Sequence, residues 1–589
     1  MSAGDSLAGR LSCCALAMAF IVGLLHLAVR LREVQVVEAA DYGYILGRQA
    51  ERRVQTGGTR GRIFDRNGSV LADNRESVSI ICRPSFFKKR TWDEIASGII
   101  AAISNVESVV GRPSPVTAKD VRRHIARSLA MPLPVWRDVD DGELARFSER
   151  ESEFPGFAAE VVAERVYPQR RLAAHLLGYV GRDRGESVAG DEKFNFFLPE
   201  LRGRSGIEHY YDGFLIGVPG ERKLLVDARG FTIREWTVVE AKKGPDLRLT
   251  IDSGVQRAVE RQLRGEIGAC VVLDPRNGEV LAMASAPGFD PNDFVPVLRT
   301  EVYERFAGDP SKPLLNRATG GAFAPGSTFK PITALAGLRA GYPETAEYNC
   351  DGVYQLGMMR IHCARRWGHG ELDLRRALMK SCNPFFCNLG MDIGTNALIA
   401  AARDFGLGRR TGVDFGVDSP GVVPDGEWKL RKYREKWFQG DLAQMSIGQG
   451  MLLVTPLQMA MVAGAIGTGY SVMPHLKADM APVRRPLPFA AAHLRAVREG
   501  MRMVVAGDGE SGGSGWRGGE GVPVPVSGKT GTAEVGRRDR RRNNTWFIAY
   551  APSEAPRVAV AMLIEDGVSG GGTAAPKVAE ILKAVFNDG

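Results

Sequence analysis

Pro325-Gly-Ser327-Thr-Phe-Lys330-Pro331-Ile-Thr-Ala-Leu335 decides how this chain is read. Ser327 and Lys330 stand three residues apart, so a helix beginning here puts both on one face. Pro325-Gly326 reads as a turn, and Pro331 is tolerated only near a helix start. Ile332, Leu335 and Leu338 then recur at helical spacing until Gly341 and Pro343 stop the run. Phe329 falls on the buried side. A serine hydroxyl is a weak nucleophile unless a base lies within hydrogen-bond reach. Lys330 can be that base if it is partly neutral. Burial and a second cation, Lys529, both push a lysine pKa down. Two more motifs follow in order, Ser381-Cys-Asn383 and Lys529-Thr530-Gly531. Ser381 can relay a proton between Lys330 and a leaving amine, and Asn383 can hold a substrate amide.

Lys529-Thr530-Gly531-Thr532 reads as an edge strand. Val522, Val524 and Val526 alternate with Pro523 and Pro525 just before it, and proline favours edges. Gly528 and Gly531 let a ligand backbone approach closely. A carbonyl attacked by Ser327 needs an oxyanion hole, for which the backbone N–H groups of Ser327 and Thr532 are the candidates. Thr530, Gly531 and Thr532 are thus the substrate-binding stretch. Gly528-Lys529-Thr530 is not a phosphate loop, because Pro523 stands where that pattern needs glycine.

The chain of 589 residues suffices for two or more domains with real cores. Basic residues exceed acidic ones, 77 to 68, for a net charge of +9. They are scattered apart from Arg537-Arg538 and Arg540-Arg541-Arg542, read as a solvated loop. A polyanionic wall or anionic lipid surface fits this balance as well as nucleic acid; no nucleic acid partner is expected. Leu11 to Val29 is apolar but for Ser12 and His26, long enough to span a bilayer. Arg30-Leu31-Arg32 follows directly, so this is an uncleaved anchor. Cys13-Cys14 is part of the span.

The expected organisation is a short tail (1–10), an anchor (11–30), a β-rich N-terminal region (31–240) and a catalytic domain (241–589). Arg60 to Ala72 reads as a hairpin turning at Asn67-Gly68, and residues 92–150 as charged helices. Gly203 to Asp212 lacks a nucleophile–base pair and is read as structural. Leu247 to Asp252 alternates like a strand and Val255 to Leu263 like a helix. Ala269–Asp274 and Gly278–Met283 are paired strands, as are Trp546–Tyr550 and Val558–Ile564. Residues 575–586 form a last helix. Asp508 to Gly521, rich in Gly and Ser, is expected to be a flexible connector.

Arg60-Gly-Arg-Ile-Phe-Asp-Arg-Asn-Gly68, Asn316-Arg317 ahead of Pro325 to Lys330, Ile447-Gly-Gln-Gly450 and Thr455-Pro-Leu-Gln458 together resemble class B penicillin-binding proteins. Gly368-His-Gly370, Glu427-Trp-Lys429, Trp437-Phe-Gln-Gly440 and Glu565-Asp-Gly567 with Gly570-Gly571 and Ala574-Ala-Pro576 resemble the elongation type. The resemblance implies an α+β multidomain protein with one transmembrane helix, a pedestal or dimerisation domain and a serine transpeptidase domain of the β-lactamase-like fold. It implies D,D-transpeptidation of peptidoglycan stem peptides ending in D-Ala-D-Ala, through an acyl-enzyme on Ser327, and sensitivity to β-lactams. It places the protein in the inner membrane with the 1–10 tail in the cytoplasm and the catalytic domain in the periplasm, and it makes the N-terminal region (31–240) an elongated pedestal. Its implied partners are a SEDS-type glycosyltransferase and rod-complex scaffold proteins. Two departures are Thr530, where elongation enzymes often carry Ser, and the Gly-rich 508–521 stretch.

Cys350-x12-Cys363-x5-His369-x12-Cys382 supplies three thiols and an imidazole, a set that closes a tetrahedral zinc site. The spacing is not that of a zinc finger. A disulfide and free buried thiols are the alternatives; His362 competes with Cys363 as a ligand, and Cys387 reads as core. Some elongation-type relatives resemble this with zinc at matching positions. Three other functions share the catalytic motifs: a division-type transpeptidase, a β-lactamase and a non-catalytic β-lactam sensor. No Glu-x-x-x-Asn pattern of the class A kind stands between Ser381 and Lys529 to activate water, which argues against the β-lactamase.

Overall fold

The computed structural model of the chain describes residues 4–39, 51–89, 91–182, 195–197, 201–227, 229, 231–295, 298–536 and 542–587. Helix α1 (Gly4–Arg32) opens the chain. Its apolar side chains from Leu11 onward are exposed, and the helix is long and apolar enough to cross a membrane. It therefore fits a single membrane anchor.

The pedestal holds two sheets. In the first, β1 (Glu51–Thr56) pairs with Asn195–Phe197 on one side and, on the other, with a strand at Gly220–Val226 that leads into Thr232–Val239. The second joins β2 (Ile63–Phe64), β3 (Val70–Cys82), β4 (Leu133–Trp136) and β5 (Phe157–Val166). β2 and β3 form the expected hairpin, with Gly68 at φ +88° in its turn. The 92–150 region is helical at α2 (Trp92–Val110), α3 (Ala118–Ser128) and α4 (Asp141–Glu149). Each starts with a capping box, from Thr91, Thr117 and Asp140. Ile95, Ile99, Trp136 and Phe147 build their core against β3.

Leu247–Arg248 is a shorter strand than expected and pairs in parallel with β2, tying the pedestal to the catalytic domain. That domain is built on one five-stranded antiparallel sheet. β6 (Gly268–Leu273), β7 (Val280–Ala286), β8 (Ser527–Val535), β9 (Arg542–Ala551) and β10 (Val558–Ile564) take the order β7-β6-β10-β9-β8. β8 is an edge strand, as its flanking prolines require. Helices α5 (Ser253–Gln262) and α6 (Ala575–Asn587) cover one face. The other face supports the helices that carry the motifs. The Asn383–Asp404 helix is also apolar enough to pass for a membrane span, but half of it is buried, and it is a core helix.

Asp508 to Gly521 differs from expectation, because it is a packed strap. A Cβ on Gly513 would stand 2.1 Å from Val504 O, and one on Gly518 would stand 2.3 Å from the Phe547 ring. Glycine there permits contact with the sheet. Arg376 and Lys380 tie the strap down through Glu510 and Gly512 O. The Arg537–Arg541 run lies outside the described residues, and Arg542 begins β9.

Candidate active site and candidate metal centre

Ser327 lies in a 3₁₀ turn, Gly326–Phe329, that feeds directly into the helix Lys330–Arg339, with Pro331 in its first turn. The turn is pinned from several sides. Gly326 N–H donates to Gly448 O at 2.8 Å, Trp546 Nε1 donates to Ala324 O at 2.9 Å, and Thr328 Oγ1 donates to Pro325 O at 2.7 Å. Phe329 is fully buried below it, as expected. The edge strand β8 crosses right over the turn. A Cβ on Gly531 would stand 2.8 Å from Pro325 O, and one on Gly326 would stand 2.7 Å from Thr532 O. Gly326 also sits at φ +54°. Both glycines are therefore required by close backbone approach.

Ser381 ends the helix Leu374–Lys380 in the left-handed region, at φ +56°. This turn presents its hydroxyl between two ammonium groups. Lys529 Nζ donates to Ser381 Oγ at 2.9 Å, and Lys330 Nζ lies 3.4 Å from the same oxygen. Lys330 Nζ also donates to Ser381 O and to Asn383 Oδ1, each at 2.7 Å. Asn383 Nδ2 in turn donates to His362 O at 2.8 Å. Both lysines are fully buried. Burial pulls Lys330 down from 10.5 to about 8. Burial, with Lys330 as a neighbouring cation, holds Lys529 well below the ordinary lysine range.

Lys330, Ser381, Asn383 and Lys529 thus form one hydrogen-bonded group. Ser327 is half-buried at its mouth, and its hydroxyl has no hydrogen-bond partner among the described residues. The helical pairing with Lys330 places the two residues on adjoining turns without closing that bond in the free protein. Such bonds often tighten only when substrate binds. Thr530 Oγ1 stands 3.1 Å from Ser514 Oγ, and Thr532 Oγ1 accepts from Gly570 N–H at 3.3 Å. Ser514 and Gly570 border the strand and were missed as site residues. The double glycine at Gly570-Gly571 was visible in the sequence. Ser514 had no signal beyond its glycine-rich surroundings.

Behind Ser381 the four expected ligands converge. The sulfurs of Cys350, Cys363 and Cys382 and one ring nitrogen of His369 all lie within 4.8 Å of one another. Cys363 Sγ is 3.4 Å from His369 Nδ1 and 4.0 Å from Cys382 Sγ; Cys350 Sγ is 3.9 Å from His369 Nδ1. A tetrahedral zinc with bonds of about 2.3 Å sets its sulfurs about 3.8 Å apart, so the spacing fits. A disulfide needs sulfurs about 2.05 Å apart, and all eight cysteines are free. The close contact between the two thiols lowers Cys363, with His369 adding to the effect, and raises Cys382. His362 is exposed and stands outside the cluster. Cys387 is fully buried and its Sγ contacts Ala443 O at 3.5 Å, a core position.

Two family models match the chain. One, described as the penicillin-binding protein transpeptidase domain, spans residues 268–583; the other, described as the penicillin-binding protein dimerisation domain, spans 55–249. The peptidoglycan D,D-transpeptidase MrdA of Acinetobacter baumannii is 32% identical, over 96% of this chain and 85% of its own length. MrdA of Escherichia coli K12 is 32% identical, over 95% and 91%. Among solved structures, the complex of penicillin-binding protein 2 and MreC from Helicobacter pylori aligns at TM-score 0.79 and 26% identity, over 92% of this chain and 99% of that one. A peptidoglycan synthase complex that couples polymerization and crosslinking contains a chain aligned at TM-score 0.71 and 28% identity, over 98% of both chains. A buried two-lysine site on an antiparallel sheet, two matching domains and full-length relatives agree: the chain belongs to the class B penicillin-binding proteins and is a peptidoglycan D,D-transpeptidase of the elongation type, penicillin-binding protein 2.

Proposed function

We propose that Ser327 is the acylated nucleophile and Lys330 the base that takes its proton. Ser327 Oγ attacks the carbonyl of the penultimate D-Ala of a stem peptide. Neutral Lys330 accepts the hydroxyl proton. Ser381, bonded to Lys529 and facing Lys330, passes a proton to the departing D-Ala amine. The developing oxyanion is held by the N–H groups of Ser327 and Thr532. Asn383 and the strand Thr530-Gly531-Thr532 hold the peptide. The amine of a second stem peptide then attacks the acyl-enzyme and releases Ser327. The observation that carries this reading is the single hydroxyl, Ser381 Oγ, lying between two buried ammonium groups at 2.9 and 3.4 Å. Incubating the protein with a penicillin should add one ligand mass to the peptide containing Ser327. An adduct on another residue, or none with Ser327 intact, rules the assignment out.

The same reading gives Cys350, Cys363, His369 and Cys382 a structural zinc ion. What supports it is a closed set of three sulfurs and one imidazole at tetrahedral spacing. Zinc there would supply folding free energy to residues 350–382 and no step of the reaction. Cys382 lies between Ser381 and Asn383, so ligation would fix the loop that carries both. Metal analysis of protein purified without a histidine tag tests it. Less than about half an equivalent of zinc, with Cys350 and Cys363 joined on peptide mapping, would replace zinc with a disulfide.

The anchor is read with the catalytic domain on the periplasmic side of the inner membrane. The pedestal is read as the docking surface for a SEDS-type glycosyltransferase and for a scaffold of the MreC kind. Support comes from the relatives, one of which was solved with MreC and another in a synthase complex. Co-purification from reconstituted membranes, with and without the pedestal, tests this. Unchanged complex formation without it would sink the idea.

A further inference from the structure

A groove of about 900 Å³ opens on the side of the catalytic domain away from Ser327. Its floor is β7, the strand at the opposite edge of the sheet from β8. Four strand spacings of about 4.8 Å put roughly 19 Å between the two edges. None of the catalytic motifs reaches it, and acylation of Ser327 makes no use of it.

Two features of the groove are unspent. The first is charge. Arg171, Arg257, Arg261 and Arg264 line it, and all four are exposed. Arg257 donates to Gln169 Oε1 at 3.2 Å, a neutral partner. Among the described residues the guanidinium groups of Arg171, Arg261 and Arg264 meet no carboxylate. The two acids of the groove are already engaged. Glu266 pairs with Lys577 at 3.0 Å, and Glu260 Oε1 accepts from Ala173 N–H at 2.7 Å and from Gln256 Nε2 at 2.9 Å. Elsewhere on this molecule arginines commonly find acids, as in Arg305–Asp293 or Arg403–Asp425.

The second feature is main chain. Gln256 caps β7 at Met283, accepting from its N–H at 2.8 Å and donating to its C=O at 3.1 Å. Met283 therefore faces away from β6. Ser285 has the same orientation two residues on, because outward-facing pairs alternate in an antiparallel ladder. Among the described residues the Ser285 backbone N–H and C=O have no partner, although Ser285 is only 8% exposed. An open edge pair is a template for an added strand. Beyond it, Ala286 and Pro287 continue the wall of the groove.

We propose that this groove binds an extended acidic polypeptide segment, whose main chain pairs with Ser285 and whose carboxylates meet Arg257, Arg261 and Arg264. Main-chain pairing would give the register and the arginines the selectivity, a division of labour seen wherever strands are added to sheet edges. A compact polyanion would satisfy the arginines but leave the Ser285 pair unused, so the two features together favour a peptide.

The test uses the full-length protein in detergent and a fluorescein-labelled peptide of eight glutamates, read by fluorescence anisotropy. Saturable binding is expected, and it should weaken as salt is raised. The triple variant R257E/R261E/R264E should weaken it at least tenfold, while labelling of Ser327 by a fluorescent penicillin stays within twofold of the unaltered protein. The same peptide N-methylated at every residue should bind at least fivefold more weakly, since it has no N–H left to donate to Ser285 C=O in any register. Equal affinity for the triple variant overturns the site. Equal affinity for the N-methylated peptide, or binding of tripolyphosphate in place of the peptide, overturns the strand pairing and with it the proposal. Unchanged penicillin labelling shows that the variant is folded, so loss of peptide binding cannot be put down to unfolding.

Discussion

Two regions of this molecule bury charge, and they treat it in opposite ways. At the root of the pedestal, Arg60 and Arg165 are 3% and 0% exposed, and both meet the fully buried Glu208, at 2.6 and 2.7 Å. Asp212 takes a second bond from Arg60 at 2.7 Å, and Tyr167 OH donates to Glu208 at 3.3 Å. In the catalytic cleft, Lys330 and Lys529 are as deeply buried, yet their partners are neutral oxygens of Ser381, Asn383 and Thr530. A buried cation beside a carboxylate keeps its proton and holds the fold. A buried cation among neutral oxygens is pushed toward losing it, and that makes a base. The same cost of desolvation serves architecture in one place and chemistry in the other.

Removing the base is the strongest way to break this contrast. Lys330→Ala should slow acylation by a penicillin about 10²–10⁴-fold, the usual worth of general-base catalysis. It should leave the melting temperature unchanged or raised, because it deletes a buried charge that no carboxylate balances. Stopped-flow labelling together with a thermal melt reads both. A loss below tenfold would move the base elsewhere. The pH profile sharpens the point. The neutral amine is the active form, so acylation should rise with pH and level off above about 8, rather than near the ordinary lysine value of 10.5. A rate that is flat from pH 6 to 10 would contradict a titrating Lys330.

Glu208→Gln attacks the other cluster. Arg165 would be left buried without a carboxylate and Arg60 would keep only Asp212, at a cost of about 3–5 kcal/mol. Denaturant unfolding should show that loss, while the surviving folded protein still acylates within about threefold of the original rate. Rate and stability would thus move separately in the two variants. If Glu208→Gln slowed acylation as much as it lowered stability, the two regions would not be distinct in role.

Cys382→Ser stands between the two cases. It touches no substrate, yet it removes one thiol of the proposed zinc set beside Ser381 and Asn383. Acylation should fall about 10–100-fold, the usual effect of losing such support. The melting temperature should fall with it, and a chelator should reproduce both effects in the unaltered protein. Full activity and an unchanged melting temperature after chelation would leave the cysteines a purely passive role.

The motif residues that gather in the cleft were legible because each motif is local and its chemistry depends on residue type. Ser327 and Lys330 are close in sequence, and Ser381 and Asn383 need only one turn. The convergence of Cys350, Cys363, His369 and Cys382 was legible for a related reason: cysteine and histidine have few other uses in such a pattern, and the four side chains meet. The Arg60–Glu208–Arg165 group was not legible as a partnership. Arg60 and Glu208 are separated by 148 positions, and no periodicity links them. The Gly203–Asp212 segment was therefore recognised only as structural, without its partners. The bond between Ser327 and Lys330 was over-read, since helical spacing sets which face a residue occupies but not where the end of a long side chain goes. Lys330 instead turns to Ser381 and Asn383.

The strap at 508–521 shows the deeper ambiguity. Glycine means freedom in an isolated chain and close approach in a packed one, and composition alone does not separate the two. The smallest predicted effect decides it for this protein. Gly518→Ala would set a methyl group 2.3 Å from the Phe547 ring, in a strap whose Ser514 contacts Thr530 of the substrate strand. Phe547 is itself fully buried and cannot swing clear. Overpacking of this kind costs about 1–3 kcal/mol. In a loose connector the same substitution would be neutral or slightly stabilising, because alanine restricts the unfolded chain. The sign of the change in unfolding free energy thus separates the two meanings of glycine: a loss fits the packed strap, and a gain would return the segment to the role its composition suggests.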